Sequence, residues 1–135
     1  MAQATKFELS TQDYVVAECA MLDNAAVTTQ VFFIAPEPMK VVEIHEIHGT
    51  KGTGGGTVTL TVKRCQGTEA STAGDDLLGA TKINLKGDNN TLQSPDLTAT
   101  TDDLTLAAGD RLSVDTSGTL TSVAGALVQV LLARA

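Results

Sequence analysis

The sequence predicts an all-β domain, a sandwich or a barrel. Two broad observations point there. No stretch of eleven or more residues repeats its apolar positions at helical spacing. Instead, about eight short segments alternate or run apolar at strand length, with turn residues between them every eight to twelve positions. The third observation is the stretch Leu106 to Arg134, around which the rest of the chain is organised. Arg111-Leu112-Ser113-Val114-Asp115 alternates strictly, so Leu112 and Val114 face inward. Thr116-Ser117-Gly118-Thr119 is a turn, and Val123 to Ala133 is a second strand. One face of that last strand is Ala126, Val128, Val130 and Leu132; the other is Leu127, Gln129, Leu131 and Ala133. Both faces are largely apolar, the pattern of a strand covered on both sides. One side meets the domain's own core. The other needs a cover, either a loop or the first strand folded over it or a second subunit, and self-association is the favoured expectation.

The earlier elements follow in order. Met1 to Ser10 is polar and mixed and reads as an arm, mobile or ordered on a neighbour; residues 11–135 read as the domain. Asp13 to Leu22 admits a helical turn but reads better as a first strand, and Asp23-Asn24 as a turn. Val27 to Ile34 is a strand with Val27, Thr29, Val31 and Phe33 on one face and Thr28, Gln30, Phe32 and Ile34 on the other; Pro36 and Pro38 stop it. Met39 to His48 is rich in β-branched residues, and Thr57 to Arg64 has the cleanest alternation in the chain. The glycine-rich stretch Gly49 to Gly56 reads as a flexible loop joining these two as a hairpin. Gly67 to Asp76 is a small-residue loop, Leu77 to Leu85 a weaker strand, and Gly87-Asp88-Asn89-Asn90 a turn. Thr91 to Ala99, broken by Pro95, reads as an edge strand, and Ala108-Gly109-Asp110 as a tight turn.

Composition sets bounds. A chain of 135 residues fits one domain. Area scaling gives a folded surface of roughly 6,700 Å² against about 20,000 Å² unfolded, enough burial for a core without staples. The net charge of −7 and the scatter of basic residues argue against a nucleic-acid footprint. Four aromatics, Phe7, Tyr14, Phe32 and Phe33, leave little from which to build a glycan-stacking platform. No apolar run approaches the roughly 20 residues of a membrane helix. No signal-peptide pattern opens the chain, so it is expected to stay in the cytoplasm with Cys19 and Cys65 reduced and buried.

The candidate chemistry is thin. His45 and His48 form an H-x-x-H pair, but on a strand they point to opposite faces and cannot share one metal; they read as two half-exposed polar residues. Gly52 to Gly56 is followed by a strand rather than a helix, so it lacks the phosphate-cradling context. Asp75-Asp76, Asp102-Asp103 and Asp88-Asn89-Asn90 do not carry calcium-loop spacing and read as turn formers. No Gly-x-Ser-x-Gly occurs, and two histidines on one strand leave little to pair with a nucleophile. No catalytic, metal or cofactor-binding residue is expected, and the protein is not expected to be an enzyme.

Val41 to Gly49, the glycine loop, Thr57 to Lys63 and the closing run Ala107 to Leu120 with its final apolar strand resemble small proteins encoded among the head genes of tailed bacteriophages. These are similar to capsid decoration (cement) proteins. The resemblance covers roughly Val27 to Arg134, and glycine turns carry most of its weight. It implies a jelly-roll antiparallel β-sandwich of about eight strands in a single domain. It also implies a homotrimer on the exterior of a virion capsid, assembled in the bacterial host cytoplasm. There it would bind the major capsid protein and stabilise contacts between its copies, with no cofactor, nucleic acid or membrane involved. The expected subunit interface is Leu127, Gln129, Val130 and Leu131 with Phe32 and Ile34; the expected capsid contacts are Lys6 and Phe7 in the arm and Lys51 in the glycine loop. The alternative is a phage fibre or head-fibre base, or a sandwich module that recognises a host-surface glycan.

Overall fold

The structure, a computed structural model, describes residues 14–21 and 29–135. Within them lie nine strands: β1 Tyr14–Met21, β2 Thr29–Ile34, β3 Met39–Ile47, β4 Thr59–Cys65, β5 Asp75–Asp76, β6 Ile83–Asn84, β7 Thr105–Leu106, β8 Arg111–Ser117 and β9 Ala126–Arg134. A 3-10 turn, Thr101–Leu104, precedes β7. One sheet has the order β1-β9-β3-β7; the other has β2-β8-β4-β5, with β6 also on β4. Every pairing is antiparallel.

The pairings are nested. Met21 faces Ala126, Thr29 faces Asp115, Met39 faces Leu106 and Arg64 faces Asp75. The chain is thus one long antiparallel ribbon rolled up so that its rungs fall alternately in the two sheets, which is the jelly-roll arrangement. Between the sheets sits an aliphatic core that includes Val41, Leu60, Val62, Leu112, Val128 and Val130. Burying one such side chain contributes about 1.5–3 kcal/mol.

This topology corrects several expectations. Met39 to His48 and Thr57 to Arg64 are not a hairpin: β3 pairs with β9 and β7, while β4 lies in the opposite sheet. Alternation says that a strand has an inward face, not which strand is its neighbour. The glycine stretch is a crossover between sheets, and it is pinned rather than flexible. The N–H of Gly52 donates to the Leu85 carbonyl at 2.8 Å and that of Thr53 to the Thr121 carbonyl at 2.9 Å. Thr91 to Ala99 is not an edge strand. It forms no ladder, only the isolated bridges Gln93 to Glu46 and Leu97 to Leu78, on either side of Pro95, which has no N–H to give a ladder. Leu77 to Leu85 is likewise reduced to the short β6 near its end. The last strand begins at Ala126, after Gly125 at φ 66°, rather than at Val123. Gly118 (φ 92°) does close the turn after β8, and a Cβ there would lie 2.3 Å from the Thr57 carbonyl oxygen.

Two irregularities shift inward-facing positions. A bulge in β3 opposite Leu131 and Leu132 changes its phase, so Met39 and Val41 face in, and after it Ile44, Glu46 and His48 do. His48 is therefore fully buried, not half-exposed. In β2 the register slips between Val31 and Phe33, which turns Phe32 and Phe33 together toward the core and leaves Val31 and Ile34 exposed. The expected arm, Met1 to Ser10, and the Asp23-Asn24 turn lie outside the described residues.

Candidate interaction surfaces

β9 runs between β1 and β3, so its register lays four rows of side chains across the outer face of that sheet. Ala20, Leu127 and Ile47 form one row, and Glu18, Gln129 and His45 the next. Val16, Leu131 and Glu43 form the third, and Tyr14, Ala133 and Lys40 the fourth. Tyr14 and Val16 are 56% and 54% exposed, and Leu127, Leu131 and Ile47 are half-buried. The second row is polar and internally bonded: the Gln129 amide donates to Glu18 at 2.6 Å. On β1 and β9 the face is thus apolar on both sides of a polar stripe, with Glu43 and Lys40 of β3 at its border.

Of the expected interface residues, Leu127, Gln129 and Leu131 lie together on this face. Val130 does not. It has no exposed surface and packs in the sandwich's own core, because successive strand residues point to opposite faces. Phe32 and Ile34 belong to the other sheet; Phe32 packs against the core, and Ile34 is 64% exposed at the end of β2. Lys51 is exposed, and its backbone N–H donates to Asn89 Oδ1 at 2.8 Å, which joins the glycine loop to the turn after β6. The Lys86 ammonium donates to the carbonyls of Gly54 and Gly56 at 2.7 and 2.9 Å and fixes the same loop. Lys6 and Phe7 lie outside the described residues.

A groove of about 230 Å³ borders the apolar face, lined by residues 42–45 of β3 and by Ser94, Pro95, Asp96 and Leu97. Here His45 is bonded at both ring nitrogens, to Ser94 Oγ at 2.8 Å and Glu43 Oε1 at 2.9 Å. Sequence reasoning missed this chain because Ser94 is 49 positions from His45 and follows no motif. Its connectivity is that of a nucleophile relay, yet its setting is not. Ser94 and Glu43 are exposed to water, and the residue after Ser94 is a proline, with no amide to offer a developing oxyanion.

In the acidic pairs the carboxylates of Asp75, Asp76 and Asp103 are each paired with a cation of the chain itself. Arg64, 9% exposed, donates to the carbonyls of Asp102 and Thr105 and to the carboxylates of Asp75 (2.7 Å) and Asp103 (3.4 Å). Asp76 is paired with Lys82 at 2.8 Å and accepts from Thr61 and from the Leu78 N–H. Burial pushes the Asp76 carboxyl up, but the bonds from Lys82, Thr61 and Leu78 and the Lys82 charge outweigh it and hold it below the usual value. Among the described residues no three His, Cys, Asp or Glu side chains gather as a metal ion would need. Cys19 and Cys65 are free and buried, as expected; burial raises the Cys19 thiol, which keeps it protonated and unreactive.

No protein-family model matches the chain, and no characterised protein matches it in sequence. A chain in a solved structure of infectious bursal disease virus, Gx strain, is similar at a TM-score of 0.47 and 13% identity. The match covers 98% of this chain and 36% of that one, so this chain spans about a third of its length. The jelly-roll topology stands on the strand pairings above and not on that likeness.

Proposed function

We propose that the chain is a structural virion protein without catalytic activity: a decoration protein that sits as a homotrimer on the exterior of a tailed-phage capsid and stabilises contacts between major capsid proteins. The observation that carries this reading is the outer face of the β1-β9-β3 sheet, where Tyr14, Val16, Leu127, Leu131 and Ile47 present apolar surface that a single copy leaves in water. Apolar rows of that kind on a small protein mark a protein contact. The pinned glycine loop, with Lys51 exposed on it, adds a fixed contour suited to gripping a partner. The resemblance to phage decoration proteins supplies the biological setting. Light scattering of the purified chain is expected to give three times its monomer mass, and the protein is expected to co-sediment with capsids stripped of it. A monomer at micromolar concentration that also ignores those capsids sinks the reading.

A further inference from the structure

Glu46 and His48 are two titratable side chains that the surfaces above leave unused, and each side chain has 0% exposure. His48 is held at both ring nitrogens: Nε2 lies 2.8 Å from the Gly87 carbonyl oxygen and Nδ1 lies 2.8 Å from Glu46 Oε2. A carbonyl only accepts, so Nε2 carries a hydrogen. The second contact also needs one, on the ring or on the carboxyl. A bare ring lone pair facing a bare carboxylate oxygen at that distance, in a dry interior, is repulsive. The other carboxyl oxygen accepts from Gln93 Nε2 at 2.8 Å. The pair therefore closes its bonds only when it holds two protons, one fixed on Nε2 and one shared between Nδ1 and Oε2.

We propose that Glu46 and His48 form a proton-sharing latch: a single proton held between them fastens the segment from Asn84 to Gln93 onto the end of β3, and losing that proton releases it. The segment is tied at several points to these same residues. Glu46 and Gln93 exchange both backbone hydrogen bonds, at 2.9 and 2.8 Å, and the Asn90 N–H donates to the His48 carbonyl at 2.8 Å. Gln93 in turn donates to the Asn84 carbonyl and accepts from its N–H, each at 2.9 Å. The glycine loop rides on the segment through Gly52 to Leu85 and Lys51 to Asn89. The nearby charged groups are few. β9 places Val128 opposite Glu46, Lys86 is bound to the Gly54 and Gly56 carbonyls, and Lys51 and Asp88 are exposed. Burial pushes the Glu46 carboxyl above its ordinary value, and bonds from His48 and Gln93 with the His48 charge oppose that push.

The direction of the pH effect follows from counting protons. Above about pH 6.5 an unfolded chain has an ionised carboxyl and a singly protonated histidine, one proton fewer than the latched pair. Stability then falls as pH rises, about tenfold in the folding constant per unit, until the shared proton leaves. Between about pH 4.5 and 6.5 the unfolded pair also holds two protons, so the latch adds no slope there.

The test is chemical unfolding of the whole protein from pH 5 to 9 beside Glu46→Gln. The new amide donates to Nδ1 and accepts from Gln93, so this variant closes the network without the shared proton. Wild type is expected to lose stability above about pH 6.5 while the variant stays level. Exchange of the Asn90 amide, corrected for intrinsic rate, is expected to speed up over the same range in wild type only. Parallel profiles overturn the proposal. Should the variant not fold, ring-nitrogen and carboxyl-carbon shifts of wild type at about pH 7.5, where an unlatched pair holds one proton, decide: two protons in the pair uphold the latch, and a neutral ring beside an ionised carboxyl overturns it.

Discussion

The two outer faces of the sandwich are built from the same strand alternation and finish opposite in character. On β8 and β4 of one sheet the outward positions are mostly polar and satisfied by the chain itself, and only the neighbouring strand β2 leaves apolar side chains, Val31 and Ile34, exposed. Thr29 donates to Asp115 at 3.3 Å, and Lys63 pairs with Asp115 at 3.1 Å. The loop from Gln66 to Gly74 then folds over this sheet. Ser113 donates to the Ser71 carbonyl at 2.7 Å, Arg111 donates to the carbonyls of Gly67 and Glu69, and Ser113 and Cys65 keep 0% exposure. A Cβ on Gly74 would lie 2.3 Å from the Arg64 carbonyl oxygen, so the loop reaches β4 this closely only through glycine. On the β1-β9-β3 sheet the outward rows are mostly apolar, and Tyr14 and Val16 stay more than half exposed. An outward strand position is finished either by polar groups bonded locally or by apolar groups left for another surface.

Substitutions at neighbouring positions test that contrast. Val130→Asp has the largest expected effect, because it places an unpaired carboxylate in the aliphatic core; a loss of about 4 kcal/mol or more is expected, seen as a chain that does not melt cooperatively. It probes the fold rather than the interface. Arg64→Ala comes next. It strands two carboxylates and two carbonyls, and about 2–3 kcal/mol is expected in urea unfolding, below the value for a fully buried pair because Asp75 is 41% exposed. Leu131→Asp, one position from Val130 but on the outer face, is expected to change stability by no more than about 1 kcal/mol while lowering the mass in solution to that of a monomer. If both aspartates gave the same outcome, the division between a core side and a contact side of β9 would collapse. The smallest effect belongs to Asp76→Asn. A carboxyl held below its ordinary 3.8 adds stability above that pH and loses it as pH falls through the lowered value, so the variant is expected to flatten the acid limb of the unfolding profile.

Much of the architecture was legible in the residues. The inward faces of β4, β8 and β9 follow directly from alternation, and the apolar outer side of β9 was visible as a second run of Leu127 and Leu131. The His48 environment was not, because a bulge in β3 reverses the phase that alternation assigns to it. The Ser94 bond to His45 and the Arg64 bonds to Asp102 and Asp103 join residues 38 to 49 positions apart through loops without regular period, so no local pattern announces them.

The order of polar and apolar residues by itself determined that this chain makes strands, which side of most strands is greasy, and that the last strand is greasy on both. Those properties depend on a two-residue period, which is local. Only the rolled ribbon decided which strands became neighbours. It put β3 and β4 in opposite sheets, closed a loop over one outer face, and shut Glu46 and His48 away from water. Pairing partners and burial depend on contacts between residues far apart in the chain, where no local period reaches.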